Sequence, residues 1–122
     1  MSSRRRWIVW SVYVVLWTIA LVAPIPAPVT RTFQEVPLVK IALAKSLHFL
    51  AYALLAGLSA WLRLSLRGRI LLLFFVMFHA SATELVQFLV GYRGGQVIDV
   101  VLDQAGILLG LIATWKWWTE AR

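Results

Sequence analysis

Four long apolar stretches, each bounded by charge, proline or glycine, constrain this chain more than any other feature. They run from Trp7 to Ala23, from about Leu47 to Leu66, from Ile70 to Val90 and from about Val97 to Trp118. At a helical rise of about 1.5 Å per residue, all four have transmembrane length, the first only just. The composition agrees: 61% of residues are apolar and 14% charged, where a soluble domain has about 45–50% and about 25%. A soluble chain of 122 residues leaves too much surface in water to hide that apolar content, which argues against a soluble enzyme or a DNA-binding module. A mean hydropathy of +0.83 excludes a disordered tail. With no cysteine, a disulfide framework, a thiolate metal site and a cysteine nucleophile all drop out. The expected fold is all-α: a four-helix transmembrane bundle forming one membrane domain over residues 1–122, with consecutive helices antiparallel.

The first stretch follows Arg4, Arg5 and Arg6 and stops at Pro24, Pro26 and Pro28. Its apolar run exceeds the usual signal-peptide core of about 7–15 residues, and prolines crowd the cut sites, so an uncleaved anchor is expected. The net charge of +7 carries its meaning through position, and no nucleic-acid partner is expected. Placing the N-terminus in the cytoplasm puts Arg4, Arg5, Arg6, Arg63, Arg67, Arg69, Lys116 and Arg122 inside, and Arg31, Lys40, Lys45 and Arg93 outside. That split follows the positive-inside tendency and sets Trp115, Trp117 and Trp118 at the inner interface. Both termini are then cytoplasmic, in a bacterial-type inner membrane. The loop from Pro24 to about Lys45 faces outward; its prolines suggest an extended, stiff path, although Pro37 suits a first helical turn.

Ionisable side chains inside a bilayer cost about 2.5–3.5 kcal/mol each even on a lenient scale, so their placement is informative. Glu84, Asp99 and Asp103 occupy the outer halves of the third and fourth stretches, Lys45 and His48 open the second, and Arg93 sits in the turn Gly91–Gly95. Lys45, His48 and Tyr52 form one helical stripe, and Glu84 and Gln87 are spaced i, i+3. Asp99 and Asp103 are i, i+4, and Gly106 and Gly110 continue that face as a stripe allowing close helix approach. Glu84 and Asp103 both fall roughly 6 Å outward of their span midpoints and could share a layer, which predicts a polar pocket opening outward. His79 lies about 140° around its helix from Glu84 and is expected to serve as a helix–helix hydrogen-bonding group.

Lys45-x-x-His48-x-x-x-Tyr52, Glu84-x-x-Gln87, Arg93, Asp99 and Asp103-x-x-Gly106-x-x-x-Gly110 resemble, in order and separation, the VanZ-like membrane proteins. The resemblance covers about residues 40–115. Ala44 stands where the family often has an acid, and Gly94, Gly95 and Gln96 replace small polar residues. The resemblance implies a cell-envelope protein connected with low-level resistance to the glycopeptide teicoplanin.

Chemically, Lys45 and Arg93, with Tyr52 and Gln87, could grip an anionic headgroup, Arg as a planar fork and Lys as a point charge. Membrane lipids or a lipid-linked cell-wall precursor at the outer leaflet are the expected partners. Glu84, Asp99, Asp103 and His48 could supply acid–base catalysis through one protonated and one ionised group. The same four could hold a divalent cation, although no H-E-x-x-H or other specific metal spacing is present and no cofactor is called for. A charge network, with Lys45 and Arg93 neutralising Asp99 and Glu84, is the structural alternative. Beside the lipid-binding reading stand a scaffold subunit for itself or another membrane protein and a proton- or ion-coupled carrier.

Overall fold

The computed structural model describes residues 2–32, 34–91 and 96–120, and every element among them is a helix. They are α1 (Ser3–Val22), α2 (Ala27–Thr32), α3 (Pro37–Trp61), α4 (Leu66–Val90), α5 (Val97–Ala113) and α6 (Trp115–Thr119). Local chemistry sets the boundaries. Ser2 and Ser65 cap α1 and α4 by accepting from the backbone N–H of Arg5 and Gly68, and Pro37 sits in the first turn of α3, where its missing N–H costs nothing. Gly91 ends α4 at φ +72°, a left-handed backbone suited to glycine.

Three helices, α1, α3 and α4, are long and apolar enough to cross a membrane. Helix α5 has 17 residues and closes short of Trp118, to which its apolar run extends. At Thr114 the chain leaves helical geometry (φ −111°, ψ 20°), and the threonine hydroxyl donates to Gly110 O at 2.6 Å. The stretch after Pro24 also departs from the extended path expected. Ala27–Thr32 is helical because Pro26 O accepts from Val29 and Thr30 N–H, while Pro28 lies in the first turn, where proline is tolerated.

Polarity is distributed inside out. Leu16, Phe78 and Leu89 are 61%, 71% and 71% exposed, whereas Glu84, Gln87 and Asp103 are 4%, 4% and 1% exposed. Water would penalise that arrangement and hydrocarbon favours it.

Contacts define the helix directions. Arg6 Nη1 donates to Trp61 O, Trp10 Nε1 to Ser59 Oγ and the Tyr13 hydroxyl to Ala51 O, so α1 and α3 run antiparallel. Thr18 meets His79 and Leu21 meets Gln87, so α1 and α4 run parallel. Gln96 meets Glu84 and Gln104 meets Met77, which makes α4 and α5 antiparallel. The closest approach is between the parallel helices α3 and α5. A Cβ added to Gly106 would fall on Phe49 O, and one at Gly110 on Ala53 O and 2.8 Å from Ala56 Cβ. These glycines bring the α5 backbone onto that of α3, as small-residue stripes do.

Side chains from other helices occupy carbonyls that helix ends leave open. Gln87 Nε2 donates to Leu21 O at 2.7 Å, and Arg6 reaches Trp61 O. Arg69 is 6% exposed and donates to Leu64 O, Trp118 O and Glu120 O. Arg6, Arg69 and α6 thus lie at one end of the molecule, and Glu84, Asp99 and Lys45 at the other.

The α3–α5 contact leads to a first prediction. Gly110→Val should destabilise the protein by about 3 kcal/mol or more, as overpacking against backbone does, lowering its melting temperature in detergent by circular dichroism. Gly57→Ala, whose Cβ would lie 3.6 Å from the nearest atom, Thr114 Cγ2, should be neutral or raise it by up to about 1 kcal/mol of helix propensity.

Candidate functional site

Two stripes meet along the α3–α5 seam. One turn above Gly106, Asp103 faces His48, with Nδ1 to Oδ1 at 3.2 Å; one turn higher, Lys45 Nζ reaches Asp99 Oδ1 at 2.7 Å. The glycine contact sets this register, so the same close approach that excludes side chains below aligns charges above. Asp103 is 1% exposed, while the Lys45 side chain keeps 31% exposure, leaving its ammonium within reach of the surface.

Helix α4 adds Glu84 from the other side of α5. One ligating atom from each of His48, Glu84 and Asp103 lies within 4.8 Å of the others. Glu84 Oε1 accepts the backbone N–H of Gln96 at the start of α5, where the helix dipole favours an anion. Its Oε2 is buried with no hydrogen-bond partner among the described residues. The Trp17 ring meets His48 edge-on at 5.8 Å, closing the cluster from α1.

Tyr52 and Gln87 sit deeper. Tyr52 is fully buried, and its hydroxyl lies 3.0 Å from His79 Nδ1 and 3.1 Å from Thr83 Oγ1. His79 Nε2 lies 2.7 Å from Thr18 Oγ1, which itself donates to Val14 O. That bookkeeping makes Nε2 the donor to Thr18 and Nδ1 the acceptor from Tyr52. The expected helix–helix role of His79 is therefore observed, between α1, α3 and α4. Gln87 is committed to Leu21 O. Arg93 lies outside the described residues.

Sequence spacing pointed to Lys45, His48, Asp99 and Asp103 through their helical periods. It offered no signal for Thr18, Thr83 or Trp17, which reach the polar layer only through tertiary contact, nor for Arg69, which counted only among the basic residues placed inside.

Two grooves flank α5. One, of about 330 Å³, is lined by Lys45, Ser46, Phe49, Leu50 and Leu102 between α3 and α5. The other, of about 360 Å³, is lined by Ser81, Glu84, Leu85, Phe88, Gln96, Val97 and Val100 between α4 and α5. Each pairs one ionisable side chain with mostly apolar walls.

The arrangement defines a class: a small helical membrane protein with buried carboxylates gathered inside one end and a buried arginine at the other, beneath an apolar exterior. The chain belongs to the VanZ/LLP1 family, whose model matches residues 8–118. No curated protein and no solved structure matches it.

The Tyr52 network gives a second prediction. Tyr52→Phe removes the donor to His79 and leaves buried polar atoms short of a partner, so it should cost about 1–3 kcal/mol. Thermal melts of the two purified proteins in one detergent test this.

Proposed function

We propose that this VanZ/LLP1-family protein binds an anionic envelope lipid or lipid-linked glycan at the outer leaflet of a bacterial-type inner membrane. The observation that carries this reading is the α3–α5 groove, with Lys45 and Ser46 above Phe49, Leu50 and Leu102. A cationic head over an apolar slot matches the chemistry of an anionic headgroup attached to a hydrocarbon chain. Lys45 gives one donor to Asp99, and an ammonium has three, so a phosphate can share it. Arg93 is the second headgroup contact in this reading.

In this reading the protein is a four-helix transmembrane bundle, with α5 completing the set begun by α1, α3 and α4 and both termini cytoplasmic. The separation of the arginine-rich end, with Arg6 and Arg69, from the acidic end supports that orientation. Where chemistry accompanies binding, and while no cation occupies the cluster, the His48–Asp103 pair moves the proton, Asp103 orienting the imidazole, and Glu84 accepts from a hydroxyl or water of the ligand. A lipid-linked cell-wall precursor as ligand would connect the site with the glycopeptide resistance that the family resemblance implies.

Native mass spectrometry of gently released protein tests the binding step. Wild type should retain an anionic lipid, whereas Lys45→Gln should lose it by about tenfold or more, the worth of a charge-assisted hydrogen bond. Leu102→Trp, filling the slot without touching a charge, should lose it as well. Equal lipid occupancy in all three folded proteins overturns the proposal.

A further inference from the structure

His48, Glu84 and Asp103 come from three different helices, and a single atom from each converges to within 4.8 Å. Two are buried carboxylates, Glu84 on the membrane-length helix α4 and Asp103 on α5 packed against it, where an uncompensated charge is expensive. Among the described residues no lysine or arginine forms an ion pair with either of them; Lys45 pairs with Asp99 instead. Glu84 adds a separate observation: it is 4% exposed, and its Oε2 lacks a hydrogen-bond partner among the described residues. A buried carboxylate oxygen left unpaired next to a second carboxylate and an imidazole calls for a cation.

We propose that these three side chains hold a divalent cation. Bonds of about 2.0–2.2 Å to oxygen and nitrogen place donor atoms roughly 3–4.4 Å apart around such an ion, so small side-chain rotations close the site. Two carboxylates and one imidazole suit Mn²⁺ or Zn²⁺, since imidazole suits Zn²⁺ and carboxylate Mn²⁺. The charge balances, a dication meeting two carboxylates and a neutral ring. Surrounding contacts hold the ligands in place: the Gln96 N–H engages Glu84 Oε1, leaving Oε2, and Trp17 packs against the His48 ring. Three protein ligands leave a coordination position for an exogenous oxygen. A headgroup phosphate taking that position would explain how an acidic cluster accepts an anion; this consequence rests on the lipid reading, whereas the ion site does not.

The test uses the full chain in detergent, stripped with chelator and titrated with MnCl₂ under electron paramagnetic resonance. Wild type should bind one Mn²⁺ per chain saturably, with a nitrogen coupling from one imidazole, and Zn²⁺ should displace it. Glu84→Gln should weaken binding at least about tenfold, given that even outer-shell partners are worth that much. Glu35→Gln, an exposed acid on the segment before α3, should bind as wild type does. No saturable binding by wild type up to millimolar Mn²⁺, binding without nitrogen coupling, or equal affinity in Glu84→Gln overturns the proposal. The wild-type coupling decides the matter even if a variant fails to fold. Lipid masses on the stripped and loaded samples report separately, so failure of one reading leaves the other standing.

Discussion

The backbone contact between α3 and α5 at Gly106 and Gly110 governs the rest of the molecule. Hydrocarbon supplies no hydrophobic drive between helices, so association rests on close packing and on polar groups that find one another. With Phe49 O and Ala53 O occupying the space where Cβ atoms would stand, α5 has one depth at which it fits. That depth brings Asp103 to His48 and Asp99 to Lys45. The small residues therefore act as the ruler for the charged ones, and a slip of one helical turn would separate both pairs.

The second constraint is that polar groups in a bilayer must be satisfied from within. Side chains that would face solvent in a soluble protein are spent here on backbone. Gln87 closes the end of α1, and Arg69 gathers carbonyls around α6. Tyr52, His79, Thr18 and Thr83 tie three helices together in one layer. Against that economy, the open oxygen of Glu84 stands out: among the described residues it is the buried carboxyl or hydroxyl oxygen left without a hydrogen-bond partner.

Much of this was legible along the chain. Apolar runs bounded by charge marked the helices, and the stripes Lys45–His48–Tyr52 and Asp99–Asp103–Gly106–Gly110 declared their inward faces, since helical period is a local property. The break at Thr114 was hidden because the residues beyond it, Trp115 to Trp118, are as apolar as those before it. The helix at Ala27–Thr32 was hidden by prolines that mark an extended path and a first helical turn equally well.

What the sequence by itself determined was the membrane-crossing character, the family and the identity of the inward stripes, because hydropathy, charge and helical periodicity act between near neighbours. Only the tertiary structure decided which stripe met which. It paired Lys45 with Asp99 and His48 with Asp103, brought Glu84 across from α4, and assigned Tyr52 and Gln87 to internal bonds. Those outcomes depend on the depth and rotation at which whole helices lock together. Depth and rotation are set by steric contact between residues more than fifty positions apart, Phe49 with Gly106 and Ala53 with Gly110, which no local pattern encodes.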